Sequence, residues 1–571
     1  ITGVINVITR KHRQDGILIE NTTRTGSYGD LRQHNTLGIN RGKWNSITNF
    51  QLQHSDGWQN TATEHVTGSE PPINDSRNKT VNRHTNWQIT EQLTFKPNNQ
   101  LELYAAGSLY GKRIYRPNGK YAHYDVHTYD LQYRNASASL GGKWNLNEQD
   151  VVTLDVDWNR HAYYYYFTAN TLVEDYDKSM GTIYYPYFPY LTGQTQLQSD
   201  QQRTMVNLKG VFSLPYGQLL NAGAEYRYDW LDSPTRVEGH TVSDWTSAFY
   251  IQDEWKRQVC SDVSIHLTGG LRLNWNEQFG VRLTPKLTTM LGIGHPWRIR
   301  ASWGQGFKTP TTKELYYRYV RQMSGTYLYL GNRHLRPQTS NYFSLSGEYT
   351  QGGLSITLSG YYNKVTDMIS LVTIPNYQAP AEYIMQYDPM KTRQYQNIDD
   401  ATTSGIDLNM RYTYKGLSVG GGYSYLNTEA NQYDTNHERM HRVIIDGTAY
   451  HKGNVFVSWN HKFSDSYGIG IGLYGRMSSK RHYQIDGNGK GYQIWRITTS
   501  HDLGHSKTCT YRIEAGVDNI FDYVDRTPHG LHLGTTTPGT TVYASISIRF
   551  NHGKKFSKTN SHIINLNSKQ D

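Results

Sequence analysis

The stretch VYASISIRF at residues 542–550 alternates apolar and polar side chains along its whole length. Every second residue from Val542 to Phe550 is apolar, and the residues between them are Tyr, Ser, Ser and Arg. Because successive side chains of a β-strand point to opposite faces, this period of two predicts a strand with one apolar face. The same alternation recurs at residues 152–159, 354–359 and 467–473. The sequence therefore predicts an all-β protein.

Short turns and long excursions alternate between the predicted strands. The tight turns are predicted at 96–99, 147–149, 215–217, 292–296, 351–353, 415–416 and 464–466, and the excursions at about 59–82, 168–200, 317–340, 372–404 and 427–453. This rhythm is typical of the up-and-down meander of a transmembrane antiparallel β-barrel. Counting strands from residues 17–25 to residues 541–550 predicts about 11 hairpins, and hence a barrel of about 22 strands with a wide lumen.

The composition favours a membrane barrel over other classes of protein. Of the 571 residues, 47 are tyrosine and 52 are glycine, and only 19% are charged. No apolar run reaches the roughly 18–20 residues that a membrane-spanning helix needs, which excludes a helical membrane protein. A mean hydropathy of −0.71 is compatible with a barrel, since lipid-facing residues alternate with polar ones. Two cysteines, Cys260 and Cys509, are too few for a disulfide scaffold, and either one disulfide or two free thiols remains open.

Several segments resemble the TonB-dependent outer-membrane transporter family, in the order in which that family carries them. ITGVINVITR at 1–10 resembles the last strand of the family's plug domain. RASWGQGFKTP at 300–310, with KELY at 313–316, is similar to the mid-barrel segment Phe-Arg-Ala-Pro…Glu-Leu-Tyr. GNRHLRPQTS resembles the segment that follows it, with Arg in place of the usual proline, and shorter matches lie further along. The residues that carry these motifs are Phe307, Pro310, Glu314, Leu315, Asn332 and the terminal aromatic Phe550.

The resemblance implies a division of the chain and a function. Residues 1–10 would end the plug domain, residues 11–550 would form the barrel, and residues 551–571 would be a polar, basic C-terminal extension. The rest of the plug and the TonB-binding segment would precede Ile1. The family's function implies an active transporter in the bacterial outer membrane, without intrinsic cofactor and not an enzyme. In it the plug gates the lumen, and the TonB–ExbB–ExbD complex supplies energy.

Iron complexes, as siderophore or haem, are the first expectation for the cargo. The predicted barrel is of modest size for the family, and its excursions carry tyrosine and histidine. Some haem receptors of the family carry a histidine between the two mid-barrel motifs, whereas residues 311–331 contain none, which weakens the haem assignment. Cobalamin is the alternative within the family. A passive porin-like barrel and an outer-membrane hydrolase are the alternatives outside it.

The net positive charge of the chain indicates which classes of molecule it can bind. The chain has 58 Lys and Arg against 48 Asp and Glu, a formal net charge of +10. These basic residues are dispersed and no nucleic-acid-binding motif accompanies them, so no nucleic acid partner is expected. On an outer-membrane barrel they would meet lipopolysaccharide phosphates, membrane lipid and anionic ferric chelates. A surface lipoprotein is left open as a further partner.

Tyrosine-rich segments are the candidate ligand-binding surface. Clusters at 163–167 and 184–190 flank one long excursion, and the excursion at 317–340 interleaves tyrosines with arginines. Aromatic faces and fixed positive charge suit a flat or catecholate anion, because stacking and charge-assisted hydrogen bonds act together. The alternative is that these tyrosines form the interfacial girdle of the barrel. The candidate ligand-binding residues are Tyr187, Tyr327, Tyr329, Arg333, His334 and His437.

Two histidine spacings suggest a metal, and neither is convincing. HERMH at 437–441 spells the H-E-x-x-H motif of zinc proteases, which requires a helix and a third ligand. It lies between predicted strands, and the next glutamate after it is Glu514, so no protease is expected. His123 and His127 are four residues apart in another excursion, where histidines are usually solvated. The sequence therefore leaves the question of a metal site unanswered.

Overall fold

The computed structural model describes residues 15–59, 80–81, 83–115, 129–168, 191–322, 326–398, 400–434, 439–483, 488–505, 508–524 and 538–554. Within these ranges the chain forms a closed barrel of 22 antiparallel strands. This confirms the predicted fold class and strand number. The predicted plug strand at residues 1–10 lies outside the described residues.

The barrel strands follow one another in chain order, each paired with the one before it. They are numbered here as β1 Asp15–Gly26, β2 Asp30–Arg41, β3 Trp44–Ser55, β4 His84–Phe95, β5 Leu101–Ile114, β6 Tyr129–Asn145, β7 Val151–Phe167, β8 Thr195–Leu214, β9 Gln218–Asp232, β10 Thr241–Cys260, β11 Val263–Asn276, β12 Gly280–Ile293, β13 Trp297–Lys308, β14 Gln338–Gln351, β15 Leu354–Thr366, β16 Ala401–Tyr414, β17 Leu417–Asp434, β18 His451–Ser464, β19 Tyr467–Ser478, β20 Tyr492–His505, β21 Cys509–Asp518 and β22 Thr541–Lys554.

The barrel closes where β1 pairs with β22. The antiparallel register runs from Gly26 opposite Tyr543 to Asp15 opposite Lys554, so the first and last strands leave no free edge. The predicted end of the barrel at Phe550 is therefore too early. The strand continues through Asn551–Lys554 because Asp15–Leu18 of β1 still offer backbone partners, although the apolar alternation has stopped. Residues 555–571 lie outside the described part of the chain.

The alternation in the sequence separates an outward apolar face from an inward polar face. On β22, Val542 and Ile546 are 55% and 53% exposed, whereas Tyr543 between them is 5% exposed. Other strands behave alike, with Leu271 and Leu287 among many exposed aliphatic side chains on the outside. An outward apolar surface of this kind is what a bilayer covers.

Tight turns close one end of the barrel and longer loops the other. We call these the short-turn end and the long-loop end. At the short-turn end, Lys415 and Gly416 both have positive φ, as the two-residue turn that matches strand twist requires. A Cβ at position 416 would collide with the backbone oxygen of Asn460, so only glycine fits there.

Two excursions at the long-loop end fold into a second sheet, here called the mouth sheet. Its four strands, in spatial order, are Arg318–Gln322, Thr326–Leu330, Lys391–Ile398 and Met368–Ile374. The middle pair is parallel and joins the excursion after β13 to the excursion after β15. Two short helices accompany the sheet, α1 at Thr312–Tyr316 and α2 at Ala381–Tyr387.

The mouth sheet has its own apolar core. Leu328 and Leu330 are buried against Ala379 and Tyr383 of the α2 segment. Because the lumen of the barrel is polar, this core belongs to the excursions and not to the barrel wall. The mouth sheet is therefore a packed unit at the long-loop end.

No described helix is long and apolar enough to cross a membrane. Cys260 and Cys509 are not joined in a disulfide, which agrees with the second of the two alternatives left by the sequence.

The two faces of β11 predict opposite responses to a charge. Leu271 faces outward near the middle of the strand, whereas Thr268 has the opposite parity and faces the lumen. Leu271→Arg should destabilise the barrel folded in a bilayer by about 2–4 kcal/mol, because the charge must enter hydrocarbon. Thr268→Arg, the matched control, should cost clearly less. Urea titrations of folding into lipid vesicles measure both, and equal costs would mean that the faces are misassigned.

Candidate ligand-binding site at the mouth of the barrel

The first mid-barrel motif anchors the mouth sheet to the wall. After β13 ends, Pro310 is buried and Thr311 caps helix α1. The Thr311 hydroxyl accepts from the backbone N–H of Glu314 at 3.2 Å, and the Glu314 carboxylate accepts from the N–H of Thr311 at 2.7 Å. Lys308 Nζ lies 2.6 Å from the same carboxylate. This capping box fixes the direction in which the chain leaves the wall.

The second motif packs directly on the first. The backbone N–H of Asn332 donates to the Glu314 carbonyl at 2.9 Å, and that of Gly331 donates to the Tyr317 carbonyl at 2.6 Å. Leu315 is buried with Leu335 and Ile369 beneath this contact. Glu314, Leu315 and Asn332 therefore have structural roles that hold the mouth sheet in place.

The mouth sheet presents an aromatic face opposite its apolar core. Leu328 and Leu330 are buried, so Tyr327 and Tyr329, which alternate with them, lie on the other face. Tyr329 is directly opposite Tyr319 across the antiparallel pair, with ring centroids 6.1 Å apart. On the parallel side its partner is Arg393, whose guanidinium lies 6.0 Å from the Tyr329 ring.

Arg236 joins this aromatic face to the barrel wall. It lies in the loop between β9 and β10, and its Nη2 donates to the hydroxyl of Tyr165 on β7 at 3.0 Å. Its guanidinium carbon lies 4.9 Å from the ring centroid of Tyr319 and 5.8 Å from that of Tyr163. Its Nε is buried and has no hydrogen-bond partner in the described residues. A buried donor without an acceptor is unfavourable unless a further group supplies one.

These residues form one group, here called the mouth cluster. Tyr163 and Tyr165 point to the lumen side, because Leu154 and Val156 of the opposite parity on β7 are exposed outward. The cluster consists of Tyr163, Tyr165, Arg236, Tyr317, Tyr319, Tyr329 and Arg393.

Protonation keeps the mouth cluster cationic. Burial acts to lower the pKa of Arg236, but the surrounding hydroxyls of Tyr165, Tyr317 and Tyr319 outweigh it, and the pKa lies above its ordinary value. Burial raises the pKa of Tyr317 to about 12, although Arg236 opposes that shift. At neutral pH the cluster therefore combines a permanent guanidinium charge with neutral phenol hydroxyls.

The structure brings together some of the predicted ligand-binding residues. Tyr327 and Tyr329 share the aromatic face of the mouth sheet. Arg333 is 62% exposed and lies 3.3 Å from the Glu238 carboxylate, with its guanidinium 5.1 Å from the Tyr316 ring. His334 is also exposed, so this pair borders the cluster instead of lying inside it.

Other predicted residues lie outside the described part of the chain. These are Tyr187 with the whole cluster at 184–190, His437, and the pair His123 and His127. Arg236, at the centre of the mouth cluster, was not predicted, since it stands in a short loop without a motif. Its only signal in the sequence is an arginine between two predicted strands.

The lumen below the mouth cluster is lined by paired charges. A cavity of about 1260 Å³ is bordered by arginines and carboxylates from β7 to β11. Arg203 lies 2.6 Å from Asp229, and Arg272 lies 3.0 Å from Glu225. Because these cations already have anionic partners, they are less available to an incoming anion than Arg236 is.

The described part of the H-E-x-x-H sequence is a strand and not a helix. His441, the last residue of the H-E-x-x-H sequence, lies on the strand Arg439–Val443, which pairs with β17. The zinc-protease motif needs a helix at that position, whereas His441 lies on a strand. Among the described residues, no three His, Cys, Asp or Glu side chains come close enough to hold a metal ion.

A closed 22-stranded barrel with a packed mouth sheet defines a class of outer-membrane receptor barrels. The family model "TonB dependent receptor-like, beta-barrel" matches residues 58–520. The chain belongs to this family and is an outer-membrane protein. Its long-loop end is the extracellular end and its short-turn end the periplasmic one, as in outer-membrane barrels generally.

The individual relatives share only 22–25% of their residues with this chain, each over part of its length. An iron-regulated outer membrane virulence protein of Vibrio cholerae is 25% identical over 42% of this chain and 37% of its own length. The vitamin B12 transporter BtuB of Photobacterium profundum is 25% identical over 41% and 34%. The ferric enterobactin receptor PirA of Pseudomonas aeruginosa is 22% identical over 60% and 49%. Each match therefore covers about half of the relative's length or less.

Solved structures share the fold. The crystal structure of the siderophore receptor PirA from Pseudomonas aeruginosa aligns with a TM-score of 0.67 and 14% identity, over 95% of this chain and 82% of that one. At this identity the likeness concerns the fold alone.

Gly331 offers a test of how the mouth sheet is anchored. A Cβ at this position would lie 2.5 Å from the Tyr317 nitrogen and 2.6 Å from the Leu315 backbone. Gly331→Ala should therefore destabilise the mouth sheet by about 1–3 kcal/mol, as overpacking does. Limited proteolysis of the folded barrel should cut the excursions faster, while the heat-modifiable migration of the barrel stays unchanged. Gly347→Ala is the control, because a Cβ there meets open space. Equal proteolysis of both variants would contradict the anchoring role.

Proposed function

We propose that this chain is the barrel of a receptor that captures a ferric chelate at the mouth cluster and imports it with energy from TonB. The observation that carries the proposal is Arg236, a buried cation among tyrosine rings whose Nε has no hydrogen-bond partner among the described residues. A desolvated guanidinium attracts an anion strongly, and a charged hydrogen bond contributes about 1.5–3 kcal/mol. The tyrosine rings add a surface on which a flat aromatic group can stack.

A catecholate siderophore fits this chemistry better than haem does. Its oxygens carry negative charge around the iron, and its rings can lie against Tyr319 and Tyr329 while an oxygen accepts from Arg236. Haem usually needs an axial ligand, and the nearest predicted histidine, His334, is exposed beside the mouth cluster. Relatives of this chain named as an iron-regulated protein and as a ferric enterobactin receptor support the assignment.

The remaining predicted residues would act at the rim of the site. Arg333 and His334 border the mouth cluster, and Tyr327 continues its aromatic face. Tyr187 and His437 belong to other excursions and are proposed as further contacts. A ligand held by several excursions leaves slowly, so release would need work delivered by the TonB–ExbB–ExbD complex through a plug.

Cobalamin is the second candidate cargo. One relative of this chain is named as a vitamin B12 transporter, and its match covers a similar share of the chain. The side chains of a corrinoid are mostly neutral amides and its one anionic group is a phosphodiester, so it gives Arg236 less negative charge to bind than a catecholate iron complex does. A passive porin-like function is disfavoured because the mouth sheet is a packed unit over the lumen.

Replacing Arg236 tests the proposal directly. Arg236→Gln should weaken binding of ferric enterobactin about 10- to 100-fold, which corresponds to the loss of one buried charged hydrogen bond. Arg236→Lys should lose less, since it keeps the charge but not the planar fork. Fluorescence quenching of the receptor in detergent by ferric enterobactin, haemin or cyanocobalamin measures the affinities.

The control for this experiment is Arg333→Gln. Arg333 is exposed and ion-paired, so its loss should change affinity by no more than about fivefold. High affinity for cyanocobalamin with none for either iron compound would reject the iron assignment. Unchanged affinity of the Arg236→Gln variant for ferric enterobactin would place the site outside the mouth cluster.

A further inference from the structure

A carboxylate lies on the outward face of the barrel wall. Phe249 and Ile251 on β10 are 57% and 50% exposed and point outward. Asp253 and Trp255 continue the same parity, and Asp253 pairs with Leu220 on one side and Gly269 on the other. The Oδ1 atom of Asp253 is buried and lacks a hydrogen-bond partner in the described residues. A charged group therefore sits among residues that face lipid.

Such a position is costly and calls for a partner. Ionisable side chains within the hydrocarbon band are rare and usually pair with another group. The neighbouring carboxylate, Glu254, has the opposite parity and faces the lumen, so it is not subject to this cost. The buried Oδ1 atom itself is out of reach of a ligand, so a cation from the membrane would have to compensate the charge at the rest of this half-buried carboxylate.

An apolar groove lies on the same outward surface. Direct strand pairing places a single row of residues across six strands, from β10 to β15. The row consists of Asp253, Gly269, Leu287, Trp303, Phe343 and Tyr362. Its last four residues line a groove of about 540 Å³, together with Ala301, Leu345 and Gly360. A Cβ at Gly360 would meet open space, so the missing side chain helps to hollow the wall.

The row slopes into the membrane from the periplasmic side. At β10, Asp253 is two residues from the outward Trp255. At β13, Trp303 is six residues from Trp297, which is 51% exposed and lies 4.7 Å from Tyr349. Tryptophan and tyrosine mark the interfacial girdle of a barrel. The Asp253 end is therefore close to the periplasmic interface, and the groove end is closer to the middle of the bilayer.

We propose that this surface binds one phospholipid of the periplasmic leaflet whose headgroup ends in a primary ammonium. The ammonium donates to Asp253 near the interface, and one acyl chain lies in the groove. Adjacent strands are about 4.8 Å apart, so Asp253 is about 10 Å from Leu287, where the groove begins. The ammonium of the bound lipid thus supplies the positive charge that compensates the Asp253 carboxylate.

Native mass spectrometry of the full chain tests the proposal. The chain is extracted in detergent, delipidated and titrated with phosphatidylethanolamine or phosphatidylglycerol of identical acyl chains. One phosphatidylethanolamine should stay bound at about tenfold lower concentration than phosphatidylglycerol, which lacks the ammonium. Asp253→Asn should remove this preference, and Gly360→Leu should weaken retention of both lipids because it fills the groove.

Two matched variants serve as controls. Glu254→Gln removes a carboxylate from the lumen side, and Ala138→Leu adds a large side chain to the outward face of β6. Both should retain phosphatidylethanolamine as the unchanged chain does. Equal retention of the two lipids by the unchanged chain, or an undiminished preference in Asp253→Asn, would overturn the proposal. A dimer that Asp253→Asn dissociates would overturn it as well, by assigning the face to a second copy.

Discussion

Backbone hydrogen bonding between β1 and β22 is the constraint on which the rest of the structure depends. A bilayer offers no water to unpaired N–H and C=O groups, so a sheet can cross it only as a closed ring. The register from Gly26 opposite Tyr543 to Asp15 opposite Lys554 completes that ring. Once it is closed, each strand has one side that faces lipid and one that faces the lumen. The positions of the mouth cluster and of Asp253 both follow from this division.

Much of the fold could be predicted from the sequence because barrel strands obey a local rule. Alternation at 152–159, 354–359 and 542–550 marks strands that the structure contains, and the tight turns at 215–217 and 415–416 mark their connections. The end of β22 was harder to predict. Residues 551–554 lack the alternation, and they are strand only because β1, more than 500 residues away, offers them backbone partners.

The candidate site was less predictable, for a different physical reason. Tyr329 could be proposed because its excursion joins two recognisable motifs. Arg236 could not, since its environment is made by β7, a short loop and the mouth sheet, which are distant in sequence. The motif residues themselves, Glu314 and Asn332, turned out to shape the base of the mouth sheet. A sequence motif in this chain thus marks where the excursions are attached, while the chemistry comes from residues that the attachment brings together.

The parallel pairing of Thr326–Leu330 with Lys391–Ile398 has a consequence for how such receptors diversify. Two excursions from different hairpins share one hydrogen-bonded layer, with Tyr329 beside Arg393 across the boundary. If one excursion alone were exchanged for that of another barrel, its strands would no longer match the hydrogen-bonding partners in the other excursion. Its apolar side chains would no longer fit the shared core. The two segments therefore form a single inheritable module, and a chimera with altered selectivity would have to exchange both together.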